Sequence, residues 1–320
     1  MGVALSSCAG SPTFLQSASP IADAQASLYR TLLVMSAGVF IVVEGLLVIN
    51  IVWFRKNPAR EITPSQRYRD VVVEAVYTII PVVIVVVIFA MTINTMQTIA
   101  APAEQPGDLN IDVRGHQWWW EFDYPDLGII TAHELHIPVG KNVFITLNSA
   151  DVIHSFWVPQ LAGKTDVFPD VTNHMWLRGD TVGAYHGQCS EYCGLNHANM
   201  RFTVYVDTPQ DYQAWVANQQ KPPVEPQDDL QKQGHTLIVN GICGSCHLLG
   251  EDGPEHVAPS LTHLFSRKGF AGETYDLNAE NIRKWLTDNQ AMKPGNDMIH
   301  VKNLPQSQIN ALVAYLTQLK

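Results

Sequence analysis

Positive charge is scarce in this 320-residue chain. Its 20 lysine and arginine residues face 30 aspartate and glutamate residues, so the formal net charge is −10. A protein that binds nucleic acid needs a basic surface to neutralise the phosphates. The composition therefore argues against a nucleic-acid partner, whereas an acidic surface would suit a cationic protein.

Cysteine is also scarce, with five residues in the chain: Cys8, Cys189, Cys193, Cys243 and Cys246. The last four form two closely spaced pairs, and each pair has a histidine nearby. A disulfide framework would not need those histidines, whereas cofactor attachment would. The pattern therefore favours two cofactor sites, one for each pair.

Basic residues are absent before Arg30, and residues 1–27 are predicted to form a leader. Leu5-Ser6-Ser7-Cys8 resembles a bacterial lipoprotein cleavage box, in which the cysteine is lipidated and becomes the new N-terminus. The basic segment and the long apolar core of a secretory signal are missing, however. Lipidation of Cys8 and an ordinary cysteine in a leader are therefore both open.

Two long apolar runs follow, at residues 28–54 and 71–99. Each exceeds the roughly 20 residues that cross a bilayer, so residues 28–100 are predicted to form a two-helix transmembrane hairpin in contact with lipid. The loop between the runs holds Arg55, Lys56, Arg60, Arg67 and Arg69 against Glu61 and Asp70. The positive-inside rule places this loop in the cytoplasm, with both termini and the soluble domains on the periplasmic side.

Glu44 is the one acidic residue within the first apolar run. Carboxylates inside a membrane span are usually functional or paired. The sequence does not predict which of these roles Glu44 has.

The pattern changes at residues 108–207. Segments such as 110–114 and 142–147 are short, alternating and rich in β-branched residues, and glycine and proline punctuate them. This pattern predicts a small β-sandwich or barrel.

Beyond the β-rich region the chain is predicted to be helical. Residues 208–228 contain a helix at 211–219 and a stiff proline-rich linker at 221–226. Residues 229–320 are predicted to form an all-α domain, with apolar residues at helical spacing before Cys243, at 279–289 and at 306–319.

Residues 189–200 concentrate soft metal ligands. Two thiols, an imidazole and a thioether occur as Cys189, Cys193, His197 and Met200. Thiolate and thioether sulfur suit copper, and imidazole also accepts it. Two cysteines can bridge two copper ions, and such a pair needs one histidine for each metal; His154 is the candidate for the second. A disulfide or a structural zinc site are the rivals, but neither predicts Met200.

This segment resembles the binuclear copper site, CuA, of cytochrome c oxidase subunit II, whose pattern Cys-x-Glu-x-Cys-x-x-x-His-x-x-Met it matches without a gap. The resemblance implies a cupredoxin-like domain in which Cys189 and Cys193 bridge the coppers. It further implies one copper ligand each from His154 and His197, a weak axial ligand from Met200 and a carbonyl ligand from Glu191. The Glu191 carboxylate would also reach a magnesium ion shared with subunit I.

The aromatic segment from Gly115 to Tyr124 also resembles this family. By position, Trp118 is the predicted residue through which electrons reach the copper, and it is expected to be exposed. Trp119 and Trp120 belong either to the same patch or to the core of the sandwich. The remaining histidines of the β-rich region are predicted to be surface or structural residues: His116, His133, His136 and His174.

Glu74 lies seven residues before Pro81, as at the start of the second membrane helix of the family. The matching glutamate there sits at the mouth of a proton-uptake channel of subunit I. The alternative is that Glu74 is a solvated residue at a helix end.

Cys243-Gly244-Ser245-Cys246-His247 is a C-x-x-C-H motif, typical of covalent haem attachment with the histidine as iron ligand. Residues 229–320 resemble class I cytochrome c. The second axial ligand is expected to be Met298, which follows a Lys-Pro-Gly turn. Met292 remains the alternative, because Ile299 stands where that family often has proline.

Together these resemblances imply subunit II of a bacterial plasma-membrane cytochrome c oxidase with a fused cytochrome c domain. It would pass electrons from haem c to CuA and on to the haem of subunit I, where O₂ is reduced to water and protons are pumped. The donor could be a cytochrome c, a copper protein or a docked quinol-oxidising complex. A quinol oxidase subunit lacks these copper ligands, and nitrous oxide reductase needs a larger chain. A free-standing membrane-anchored electron carrier is the alternative of another class.

Overall fold

The computed structural model describes residues 13–55, 69–250, 257–298 and 304–320. It separates into two compact units, residues 23–100 and residues 1–22 together with 101–320. Several residues with sequence predictions lie outside the described ranges: Cys8, Lys56, Arg60, Glu61, Arg67 and Ile299.

Two long helices dominate the N-terminal part, α1 (Pro20–Trp53) and α2 (Val71–Ile99). Both are long and apolar enough, by length and composition, to cross a membrane. The bounds of α2 agree with the predicted run. In contrast, α1 begins eight residues before the predicted position 28, so residues 20–27 are helical rather than leader. The Ser19 hydroxyl caps this earlier start by accepting a hydrogen bond from the Ala22 N–H at 3.0 Å.

The N-terminus of α2 is fixed by Asp70, whose carboxylate accepts hydrogen bonds from the N–H groups of Val72 and Val73. Glu74 lies in the first turn of α2, and its carboxylate is 3.4 Å from Arg69 Nε. No described residue of α2 is buried within the chain, although the helix is apolar on all sides. Such a helix needs lipid or another subunit around it.

The β-rich region forms two five-stranded sheets among the described residues. Their strand orders are β3-β2-β1-β5-β8 and β4-β10-β9-β6-β7. The strands are β1 (Leu109–His116), β2 (Trp119–Tyr124), β3 (Ile129–Ala132), β4 (Glu134–Pro138), β5 (Val143–Ser149), β6 (His154–Trp157), β7 (Thr165–Val167), β8 (Asn173–Leu177), β9 (Gly183–Cys189) and β10 (Arg201–Asp207). We call this region the β-domain; it confirms the predicted sandwich.

Aromatic side chains fill the space between the two sheets. Trp120, Phe122, Phe156 and Phe202 are fully buried, and the rings of Phe156 and Phe202 stack with centroids 4.5 Å apart. This rigid core lies directly behind the strand ends that carry the candidate metal ligands.

The remainder of the chain is mainly helical, as predicted. Its helices are α3 (Pro209–Gln219), α4 (Asp229–Val239), α5 (Ala279–Met292) and α6 (Gln306–Leu316). We call residues 229–320 the C-terminal domain. It is not purely helical, because β11 (Gly269–Phe270) and β12 (Tyr275–Asp276) pair as a small hairpin. Strands of two residues are too short to give a recognisable alternating pattern in the sequence.

The hairpin of the C-terminal domain packs on β4 and β10 of the β-domain. The Glu134 carboxylate accepts a hydrogen bond from the Lys268 N–H, and the Thr203 hydroxyl donates to the Glu273 carboxylate at 2.6 Å. Lys268 Nζ lies 4.7 Å from the centre of the Tyr205 ring, a cation–π contact. The two domains therefore share an interface of specific polar contacts.

Substitution of Gly187 by alanine should destabilise the β-domain. A Cβ atom at this position in β9 would lie 2.2 Å from Phe202 Cζ, and that ring is held by its stack on Phe156. Overpacking of this kind costs about 1–3 kcal/mol, measurable as a lower unfolding midpoint of the detergent-purified chain. Gly183→Ala is the matched control in the same strand, because its Cβ would approach the Tyr185 side chain no closer than 3.4 Å, an ordinary van der Waals contact. Equal midpoints for the two variants would contradict this packing.

The contact of Glu273 with the β-domain should depend on pH. Burial raises the pKa of Glu273 to about 7 from the ordinary 4.5, although the hydrogen bond from Thr203 opposes this shift. The charge of Glu134 raises the pKa further, and that of Arg201 lowers it. Between these two values the folded protein holds a proton that the unfolded chain releases, so the free energy of unfolding falls as the pH rises through this window.

Glu273→Gln should remove that part of the pH dependence, because the amide does not titrate. The measurement is the unfolding midpoint below and above the window. Glu280→Gln serves as control, since Glu280 is an exposed residue of α5 paired with Lys284 at 2.6 Å. The same slope in wild type and Glu273→Gln would show that Glu273 does not titrate in this interface.

Candidate metal centres

The cysteine pair of residues 189–200 is buried at one end of the β-domain. Cys189 ends β9 and Cys193 lies in the loop that leads to β10; we call residues 190–200 the ligand loop. The two sulfur atoms are 3.7 Å apart, and both thiols are free. The fold thus brings the pair together without forming a disulfide.

Two imidazoles flank this pair, one on each side. His154 Nδ1 lies 3.9 Å from Cys189 Sγ, and His197 Nδ1 lies 3.6 Å from Cys193 Sγ. The opposite nitrogen of His154 is 2.7 Å from a carboxylate oxygen of Asp151. A carboxylate at this place orients a ligating histidine and fixes its tautomer, so Asp151 directs Nδ1 of His154 towards the sulfur atoms.

Met200 and Glu191 also lie beside the cysteine pair. Met200 is fully buried, with its thioether sulfur 3.8 Å from Cys193 Sγ. The backbone carbonyl oxygen of Glu191 is 3.3 Å from Cys189 Sγ. The Glu191 carboxylate points away to the surface, where it lies 3.8 Å from Lys164 Nζ.

The two thiols lie within hydrogen-bond distance of each other. A hydrogen bond from Cys193 lowers the pKa of Cys189, and the same bond, with burial, raises the pKa of Cys193. Two thiolates this close together repel each other unless a cation lies between them. Ligand atoms of His154, Cys189 and Cys193 all lie within 4.8 Å of one another, and this soft donor set fits copper.

The second cysteine pair lies on a short 3₁₀ turn, Ile242–Ser245. The N–H groups of Cys246 and His247 both donate to the Cys243 carbonyl, at 3.1 Å and 2.9 Å. This turn places all three side chains of the motif on the wall of one cavity of about 250 Å³. His247 Nδ1 lies 2.7 Å from the Pro259 carbonyl, so Nδ1 is the donor and Nε2 is left as a ligand atom.

Most of the cavity wall is apolar and belongs to the C-terminal domain, with Ile238, Leu261, Leu264, Phe270, Leu286 and Leu312 among its lining residues. Met298 also lines it, and its sulfur accepts a hydrogen bond from Trp285 Nε1 at 3.0 Å. Met292 does not line the cavity but packs against the core of the domain. An apolar pocket with two thiols, an imidazole and a thioether fits a covalently bound haem.

One side of this cavity is formed by the β-domain, through Gln117, Trp118, Trp119 and His133. Trp118 is only 9% exposed, so the expectation of an exposed Trp118 is wrong; the C-terminal domain covers it. Its indole N–H donates to the Cys193 carbonyl at 3.0 Å. Trp118 therefore contacts the cavity and the cysteine pair at once.

The neighbouring tryptophans divide between the two predicted alternatives. Trp120 is fully buried in the sandwich core. Trp119 is half-buried and stacks on His116 with ring centroids 4.0 Å apart. His174 is exposed, whereas His136 is stacked between Tyr205 and Trp215. These histidines are structural or surface residues, as predicted.

Two buried cations near the cavity have no counterpart among the sequence predictions, Arg267 and Lys293. His133, predicted as a surface or structural residue, is buried beside the same cavity. Burial lowers the pKa of His133 well below its usual range, helped by the two cations. Burial also lowers the pKa of Arg267 to about 10 and that of Lys293 to about 7. The Lys-Pro-Gly turn that begins at Lys293 is a sequence signal for a turn, but it does not indicate which residues Lys293 contacts.

Comparison with known families matches three parts of the chain. Residues 8–94 match "Cytochrome C oxidase subunit II, transmembrane domain", and residues 129–206 match "Cytochrome C oxidase subunit II, periplasmic domain". Residues 231–320 match "Cytochrome c".

Individual relatives agree with these matches. The chain is 36% identical over 292 residues to cytochrome c oxidase subunit 2 of Alkalihalophilus pseudofirmus, covering 90% of this chain and 85% of that one. It is 35% identical to the corresponding subunit of Bacillus sp. PS3, covering 83% and 79%. Among solved structures, the periplasmic domain of subunit II of cytochrome oxidase from Bradyrhizobium japonicum is 31% identical, with a TM-score of 0.35, over 36% of this chain and 95% of that one.

Identity of this extent over most of both chains is shared by proteins of one family, and the copper-type and haem-type donor sets occur in the corresponding domains. The chain belongs to the cytochrome c oxidase subunit II family and carries a cytochrome c domain at its C-terminus.

Proposed function

We propose that this chain receives electrons at a haem c in the C-terminal domain and passes them to a binuclear copper centre in the β-domain. From there they go to the haem of subunit I, for reduction of O₂ to water coupled to proton pumping. The observation that carries the proposal is the position of Trp118. It lines the haem-type cavity, and its indole N–H donates to the carbonyl of Cys193.

The residues of the cavity have separate tasks in this proposal. Cys243 and Cys246 attach the haem through thioether bonds, and His247 and Met298 ligate its iron. The Pro259 carbonyl holds the His247 ring by its hydrogen bond. Met298 is preferred over Met292 because only Met298 lines the cavity.

The residues of the ligand loop hold the copper centre. Cys189 and Cys193 bridge the two ions, and His154 and His197 each ligate one of them. Met200 and the Glu191 carbonyl are the weaker ligands. Haem and copper, when bound, supply one-electron redox chemistry; the chain supplies a ligand geometry held nearly fixed by the sheets behind it.

The surroundings of the chain follow from the same proposal. α1 and α2 anchor it in the bacterial plasma membrane beside subunit I, with both soluble domains on the periplasmic side. Glu74 at the start of α2 is proposed to act in proton uptake by subunit I, and the exposed Glu191 carboxylate to share magnesium with it. The external donor is a cytochrome c, a copper protein or a docked quinol-oxidising complex. It docks on the C-terminal domain, because Trp118 is covered.

Cys189→Ser tests this function in the full chain, purified in detergent with haem and copper. In the wild type, flash reduction of the haem should be followed by its reoxidation as the copper centre becomes reduced. Cys189→Ser should keep the haem spectrum but lose both this transfer and the mixed-valence EPR signal of the copper pair, because one bridging thiolate is gone.

The reciprocal control is Cys246→Ser, which should weaken haem attachment and leave the copper signal intact. Wild-type chain that carries both cofactors but shows no transfer would refute the proposed function. Two copper ions per chain in Cys189→Ser would refute the bridging role of Cys189.

Replacement of the two candidate methionines should separate their roles. Met298→Leu should lower the haem midpoint potential by on the order of 0.1 V, because thioether ligation favours the reduced iron. Met292→Leu keeps the volume of a core residue outside the cavity and should leave the potential unchanged. Redox titration of both variants gives the answer, and the opposite pattern would assign the ligand to Met292.

A further inference from the structure

Lys293 is a buried lysine between the two candidate metal centres. It is only 3% exposed and follows α5 directly. Its ammonium group donates hydrogen bonds to three backbone carbonyls, those of Trp118 at 2.7 Å, Ala271 at 2.8 Å and Asn199 at 3.2 Å. Lysine is almost never buried to this extent unless it has partners.

The three carbonyls come from three different segments. Trp118 lies between β1 and β2, Asn199 precedes Met200 in the ligand loop, and Ala271 belongs to the hairpin of the C-terminal domain. Three acceptors match the three N–H donors of an ammonium group, which has no acceptor of its own. This match satisfies a charge whose burial would otherwise be costly.

The turn that Lys293 opens makes further contacts with the ligand loop. The Asn196 side-chain amide donates to the Pro294 carbonyl. A Cβ atom on Gly295 would lie 3.0 Å from Leu195 Cδ2, so the backbone approaches the ligand loop closely. Met298, the proposed haem ligand, follows three residues after Gly295. The loops that carry ligands for the two centres are therefore in direct contact at this turn.

We propose that Lys293 is a positioning residue for electron transfer, whose ammonium group fastens the haem-ligand turn to the copper-ligand loop and so sets the separation of the two centres. This inference rests on the proposed function, because it assumes that electrons pass between these sites. Lysine suits the task better than arginine, whose planar fork does not match three converging carbonyls.

The charge of Lys293 adds a second effect. The ammonium group lies against the ligand loop through its hydrogen bond to the Asn199 carbonyl, one residue before Met200. A nearby positive charge stabilises the copper pair more after it has gained an electron. Loss of the charge should therefore lower the copper midpoint potential. A purely mechanical contact would not change this potential, so the measurement separates the two contributions.

K293M is the direct test, in the full chain with haem and copper bound. Flash-induced transfer from haem to copper should be slower than in the wild type, because the two centres are no longer held at a fixed separation and electron transfer slows as that separation grows. The copper midpoint potential should fall, while the haem and copper EPR spectra show that both cofactors are present.

K268M is the matched control. Lys268 crosses the same interface, but it is exposed and its ammonium group lies over the Tyr205 ring. Among the described residues, this group makes no hydrogen bond to the ligand loop or to the turn that Lys293 opens. This variant should keep the wild-type rate and potential. K293M with wild-type rate and potential would overturn the proposal. A wild-type chain that shows no transfer at all would overturn the proposed function, and this proposal with it.

K293Q keeps the test decisive if K293M does not retain both cofactors. The glutamine amide can donate two of the three hydrogen bonds but has no charge. It should load with haem and copper, transfer electrons more slowly than the wild type and show the lowered copper potential. A K293Q chain that matches the wild type in both rate and potential would overturn the role of Lys293.

Discussion

The sulfur atoms of Cys189 and Cys193 lie 3.7 Å apart in a buried site, where two thiolates repel each other unless metal ions neutralise them. In the β-domain, the strands hold the cysteine pair on one side and the ligand loop encloses it on the other. β9 presents Cys189, the paired β6 presents His154, and the loop returns through His197 to β10. Because the aromatic core behind these strands is fully packed, the ligands have little freedom to rearrange when an electron arrives or leaves. The C-terminal domain then packs against this same loop, so the position of the haem-type cavity depends on the geometry of the cysteine pair.

The sequence predicts well those elements whose structure is determined by residues close together in the chain. The bounds of α2 are correct because Asp70 caps the start of the apolar run and Pro102 follows shortly after its end, where a helix usually stops. Only part of each proposed ligand set is local. The spacing within residues 189–200 and within the C-x-x-C-H motif indicates copper and haem, whereas His154 and Met298 lie elsewhere in the chain. The start of α1 is missed because residues 20–27 favour a helix without being apolar enough to look like part of a membrane span. The hairpin β11–β12 is missed because its strands have only two residues each.

Residues whose role depends on the docking of two domains could not be predicted in this way. Trp118 looks like an exposed aromatic residue when the β-domain is considered alone, and only the position of the C-terminal domain shows that it is covered. Lys293 is 175 residues away from Trp118 along the chain, and backbone carbonyls leave no side-chain signature that could link the two segments. His133 likewise becomes part of the haem-type cavity only through a contact between domains. Sequence patterns report local periodicity and ligand chemistry, whereas these contacts arise from tertiary packing.

The β-domain and the C-terminal domain belong to one chain, and this covalent connection explains why a lysine can be buried in the interface between them. Separate electron-transfer partners usually meet through small interfaces, from which both must dissociate after each transfer. Burial of an ammonium group under three carbonyls would be a poor contact for such a transient complex, because the lysine would have to lose and regain its water at every encounter. In one chain the desolvation occurs once, on folding, and the linker keeps the effective concentration of the two domains high. In the proposed function, the surface above Trp118 serves a permanent internal donor, and an external donor is recognised elsewhere on the C-terminal domain.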